Sequence, residues 1–104
     1  MLSFIKNLFQ TQPKVDLRQL IKEGAVILDV RTKGEYQGGH VKGSINIPLD
    51  QLNGQLSKLK KEQAVITCCA SGMRSGAAKS VLKANGFTQV HNGGSWMAVD
   101  RLKH

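Results

Sequence analysis

Two continuous apolar runs constrain this chain most: Ala25-Val26-Ile27-Leu28 and Ala64-Val65-Ile66-Thr67. A strand with one wet face alternates apolar and polar residues, whereas a strand covered on both faces does not. Each run therefore needs a layer of structure on either side. Each is also followed by a polar stretch and then a segment of helical character, so successive strands return in the same direction.

The segments around these runs fit that plan. Asp16 reads as a helix N-cap, with Gln19 completing a capping box, Leu17, Leu20 and Ile21 forming an apolar face, and Gly24 ending the helix. Residues 32 to 38 suit a short helical turn broken at Gly38-Gly39-His40, and Ser44-Ile45-Asn46-Ile47 reads as a short strand closed by Pro48. Leu49, Leu52, Leu56 and Leu59 recur at helical period, although Gly54 weakens that helix by about 1 kcal/mol relative to Ala. A helix is expected over Ser75 to Asn85, with Ala77, Ala78, Val81 and Leu82 on one face and Asn85-Gly86 as its stop. Thr88 to His91 reads as a strand, Asn92-Gly93-Gly94 as a turn, and Ser95 as the cap of a last helix carrying Trp96, Met97, Val99 and Leu102. The expected fold class is α/β: a mainly parallel central sheet with helices on both faces, in three layers. Sites in such folds form beyond the C-terminal ends of strands. Asp29-Val30-Arg31 and the stretch after Cys69 both occupy such ends.

With 104 residues the chain makes one domain that buries roughly two-thirds of its unfolded surface. Residues 1 to 15 read as an apolar N-terminal segment and connector, and residues 16 to 104 as the domain. Leu2, Ile5 and Phe9, with Phe4 and Leu8, form one face of a helix expected to pack on the domain. The segment is too short to span a bilayer and carries no small-residue cleavage site, so neither a signal peptide nor membrane contact is expected. The net charge of +8 favours anionic partners. Its densest cluster, Lys58, Lys60 and Lys61, is interrupted by Glu62 and has no interleaved aromatics, which reads as a solvated surface and not as a nucleic-acid site. The two cysteines, Cys68 and Cys69, are adjacent, a spacing poorly suited to a disulfide. A reducing, cytoplasmic location is expected. His40, His91 and His104 show no ligand spacing, and neither metal nor cofactor is expected.

Cys69 opens the stretch Ala70-Ser71-Gly72-Met73-Arg74-Ser75 between a strand and a helix. A thiol there faces backbone N–H groups and the positive end of a helix dipole, both of which stabilise an anion. Gly72 lets the backbone curl inward, and Arg74 adds a fixed charge. Such a cysteine ionises without a histidine base. On physics alone the stretch fits a reactive thiol and a buried core cysteine about equally. Strand alternation points Cys68 the opposite way, as a packed thiol.

The loop resembles the active-site loop of single-domain rhodaneses. So do Asp29-Val30-Arg31, Glu35-Tyr36, Gly39-His40 and Asn46-Ile47-Pro48 upstream, and Gly93-Gly94 followed by Trp96 downstream. The likeness covers roughly residues 16 to 103. It implies a sulfurtransferase enzyme of the thiosulfate:cyanide type. The family's catalytic cysteine maps to Cys69, the one followed by Ser-Gly-x-Arg-Ser at the right distance. Cys69 would attack the outer sulfur of thiosulfate or a persulfide donor, release sulfite in the thiosulfate case, and pass sulfur from its own persulfide to cyanide or a thiol. The N–H groups of Ala70 to Ser75 would cradle the anion. The alternative is a sulfur-relay module whose acceptor is a protein. The resemblance gives Asp29, Arg31, Glu35 and His40 structural roles near the site. It leaves Arg74 open between contacting an anionic donor and bracing the loop through a carboxylate. Cell-cycle-type phosphatases of related fold carry a longer loop, and the six residues from Cys69 to Arg74 suit sulfur over phosphate by pocket size. Ala70 and Met73 are small and apolar where some relatives carry charge, which widens the donor class to persulfides, polysulfides and proteins.

Overall fold

The computed structural model describes residues 15–104, so the expected N-terminal apolar helix lies outside the described residues. Four parallel strands, β1 (Val26–Asp29), β2 (Ile45–Asn46), β3 (Val65–Cys69) and β4 (Val90–Ser95), lie in the order β2-β1-β3-β4. The two continuous apolar runs supply β1 and β3, the central pair. Their register places Val26 opposite Val65 and Asp29 opposite Cys68. The helices are α1 (Leu17–Lys22), α2 (Lys33–Gln37), α3 (Met73–Ala84) and α4 (Trp96–Leu102), with a 3₁₀ segment over Leu49–Lys58.

Alternation along the strands divides the core in two. Leu28, Val30, Val65, Cys69 and Val90 point to one face, where Leu52 of the 3₁₀ segment and Ala78 and Leu82 of α3 cover them. Ile27, Ile66 and Cys68 point to the other, covered by Val99 of α4 and by Leu17, Leu20 and Ile21 of α1. The domain is thus the expected three-layer α/β sandwich.

Several local expectations change. Asp16 caps α1 by accepting from Gln19 N at 3.1 Å, but the Gln19 amide turns to Glu23 at 3.2 Å, leaving the capping box half formed. The leucine-rich segment is two 3₁₀ stretches joined at a kink at Gln55, not an α-helix. Leu52 and Leu59 are nevertheless buried, with Leu49 and Leu56 against the same core. Asn92-Gly93-Gly94 does not turn the chain; it lies within β4. Close packing explains this use of glycine. A Cβ on Gly93 would stand 2.6 Å from Val99 Cγ2 and 2.8 Å from Ile66 Cγ2, closer than real side chains pack, and 3.0 Å from Thr67 O, a tight contact. β3 runs on to Cys69, and α3 starts at Met73, two residues before the expected Ser75.

Candidate active site

Because β3 ends at Cys69 and α3 begins at Met73, three residues make the turn between them. Gly72 takes φ +107°, a conformation that L side chains resist. The turn carries the Gly72 N–H to 3.0 Å from Cys69 Sγ and the Ser75 N–H to 3.4 Å, with Ser75 Oγ at 3.5 Å. Cys69 is only 1% exposed, on the floor of this loop. Burial pushes its thiol up. The Ser75 hydroxyl and the N–H groups of Ser75, Gly72 and Ser71 outweigh that and lower it to about 7. The N-terminus of α3 adds its dipole at the same point. Ala70 and Met73 turn outward, Met73 being 84% exposed.

Cys68 experiences the reverse. It packs among Ile27, Val41, Ile66 and Val99. Burial first, then the Asp29 carboxylate, pushes its thiol up to about 12.

Arg74 meets Glu35 of α2 in a two-pronged ion pair at 2.6 and 2.9 Å. Of the two uses left open by the sequence, carboxylate pairing is the one formed. Arg74 chiefly, and then Thr32 N–H, hold the Glu35 carboxyl down at about 2. Thr32 and Glu35 also complete a capping box on α2. That signature, Thr-x-x-Glu, is present in the sequence.

Beneath α2, the buried Arg31 grips Asp29 through Nε and Nη2 at 2.7–3.0 Å, donates to Gly39 O at 2.7 Å, and lies 4.9 Å from the Trp96 ring centroid. Burying these charges requires such complete partnering. Asn46 Nδ2 donates to the carbonyls of Asp29 and Arg31, both at 3.0 Å, pinning the end of β1. His40 Nδ1 pairs with Tyr36 O at 2.8 Å and its ring stacks on Tyr36. Asp29, Arg31, Glu35 and His40 therefore join the frame around the loop, and none of their side chains reaches the Cys69 sulfur by a hydrogen bond.

A cleft of about 360 Å³ lined by Val30, Thr32, Leu49, Asp50 and Arg74 flanks the loop. A larger one of about 470 Å³ lies among Tyr36, His40, Asn46 and Gln55, and Cys69 is not part of its lining. Asn92 is the site neighbour that sequence reasoning missed: Ser75 Oγ donates to its Oδ1 at 2.6 Å. Read as part of a turn, it offered no signal, since only the strand pairing brings β4 beside the loop.

Comparison with known proteins agrees with this fold. The sequence matches the family description "Rhodanese-like domain" over residues 14–99, and the chain belongs to that family. It is 38% identical over 68 residues to the uncharacterized protein YqhL of Bacillus subtilis, covering 65% of this chain and 54% of YqhL. It is 39% identical over 69 residues to the thiosulfate sulfurtransferase PspE of Escherichia coli, covering 64% of this chain and 66% of PspE. The chain thus spans between half and two-thirds of these relatives. A solved structure, a rhodanese with anions from E. coli, superposes with a TM-score of 0.68 at 35% identity, covering 72% of this chain and 91% of that one. Among the described residues, no helix is long and apolar enough to cross a membrane.

Proposed function

We propose that this protein is a sulfurtransferase that carries sulfane sulfur as a persulfide on Cys69. The observation that carries the reading is the cradle: a buried sulfur facing two N–H groups at 3.0 and 3.4 Å, with its thiol lowered to about 7. About half the molecules then hold a thiolate at neutral pH. The thiolate attacks the outer sulfur of a donor such as thiosulfate. A new S–S bond forms, the donor's S–S bond breaks, and sulfite leaves with the electron pair. An acceptor nucleophile, cyanide or a thiol, next attacks the terminal sulfur and returns Cys69 as a thiolate. This two-step covalent route is ping-pong chemistry. The donors of Ala70 to Ser75 hold the persulfide anion as an oxyanion hole holds oxygen, and Gly72 and Ser75 contribute most directly.

With Arg74 engaged by Glu35, donor recognition falls mainly on the backbone N–H groups and on the positive surface. The exposed apolar Met73 at the end of the loop favours a second reading, a relay in which a protein thiol accepts the sulfur. Two buried free thiols fit a reducing compartment, and the cytoplasm is the proposed location.

Incubation with thiosulfate followed by mass spectrometry tests the proposal. Gain of one sulfur atom, mapped to Cys69, is the expected result. No adduct with thiosulfate, persulfide or polysulfide donors overturns it. Faster discharge to a protein thiol than to cyanide or glutathione selects the relay.

A further inference from the structure

Asn92 projects from β4 toward the turn that holds Cys69, and its carboxamide is engaged at both ends. Oδ1 accepts from Ser75 Oγ–H at 2.6 Å and from Gly94 N–H at 2.9 Å, while Nδ2 donates to Gly72 O at 3.1 Å. The amide has one workable orientation. Reversed, it would set NH₂ against the Gly94 N–H and oxygen against the Gly72 carbonyl. Its backbone is fixed from behind, because Gly93 is wedged against Val99, Ile66 and Thr67 O. The two residues it binds, Gly72 and Ser75, are those whose N–H groups donate to Cys69 Sγ.

We infer that Asn92 is a positioning residue of the sulfur site: one side chain on β4 ties down the Gly72 carbonyl and the Ser75 hydroxyl, and so holds two N–H groups at the spacing of a single sulfur atom. In a turn of three residues, a small rotation at Gly72 moves its N–H away from the sulfur, and hydrogen bonds weaken steeply with misalignment. Ser75 Oγ, 2.6 Å from Asn92 Oδ1, is thereby held 3.5 Å from Cys69 Sγ. Of the charged groups around the loop, four form two ion pairs, and the Asp50 carboxylate lines the flanking cleft. Arg74 of α3 is bound to Glu35 of α2, and Asp29 of β1 to Arg31. β3 adds only the neutral Cys68 beside it, and β4 faces the loop with the neutral Asn92 amide.

The consequence for sulfur loading rests on the sulfurtransferase reading, but the geometry is testable without it. Cys68→Ser leaves Cys69 as the sole thiol of the chain. In that background the rate of iodoacetamide alkylation is followed against pH, with and without Asn92→Ala. The expected result is a midpoint about one unit higher, from weakened hydrogen bonds to the anion. Alkylation then falls about fivefold at pH 7, with the two rates converging in alkali. Asn92→Asp keeps the Oδ1 acceptor but loses the Gly72 link and adds a negative charge, so its midpoint rises further. A role in stability alone would lower the unfolding midpoint and leave the alkylation profile unmoved. Midpoints that stay or fall in both variants overturn the inference. Raised midpoints in a protein that accepts no sulfur would support the positioning of the thiol and overturn the sulfurtransferase reading instead.

Discussion

Cys68 and Cys69 are neighbours in sequence and share one strand, yet they occupy opposite faces of the sheet and opposite chemical environments. Cys68 is enclosed by aliphatic side chains beside Asp29, and its thiol is pushed up to about 12. Cys69 is equally hidden from solvent, at 1% exposure against 0%, but its thiol is lowered to about 7. Burial alone therefore does not make a thiol inert. Burial raises both, Cys68 further with the Asp29 carboxylate beside it, while at Cys69 hydrogen-bond donors replace the lost water. β3 still runs as a strand at Cys68, so the N–H groups there serve the sheet. Beyond Cys69 the chain curls, and its N–H groups become available to sulfur.

Exchanging the residues one at a time breaks the comparison most severely. Cys69→Ser is expected to abolish persulfide formation in the thiosulfate assay, whereas Cys68→Ser retains most of it; the opposite pattern would mean the wrong face was chosen. Alkylation of the wild-type chain gives the next largest contrast. Near pH 7 ionisation alone favours Cys69 by roughly four to five powers of ten. One label on the native protein and two in urea, located by peptide mapping, is the expected outcome. Gly93→Ala tests the packing behind β4. The added Cβ meets Val99 and Ile66 on the Cys68 face, and the urea midpoint should fall by the equivalent of about 1–3 kcal/mol. Glu35→Gln has the smallest effect. The Glu35 carboxyl is held at about 2 when folded, against an ordinary 4.5. Its contribution is thus present above about 4.5 and lost as pH falls from there toward 2. Wild-type stability measured by urea melts should decline more steeply through that window than the variant's, and identical slopes would remove the pair from the account.

Much of this is legible in the sequence. Apolar runs at 25–28 and 64–67 announced strands covered on both faces, and β1 and β3 are the central strands. Ser95 has the sequence character of a helix cap, and its Oγ accepts from Ala98 N at 3.1 Å. Cysteine, Gly72 and the following helix marked an anion-friendly turn. Where structure departs from local sequence rules, distant neighbours decide. Asn92-Gly93-Gly94 has the composition of a turn, but contacts with β3 and α4 stretch it into a strand. Gln19 had the right spacing for a capping box, but Glu23 competes for its amide.

The sequence by itself determined the alternation of strands and helices and the opposite orientation of the paired cysteines. These follow from short-range periodicity, which the backbone enforces without regard to the rest of the fold. The tertiary structure decided which groups surround each sulfur. It brought Glu35 to Arg74, 39 residues away, and Asn92 to Ser75, 17 residues away. A hydrogen bond needs its partners within about 3 Å and aligned, and between such distant positions only the packing of the sheet and its helices sets that distance.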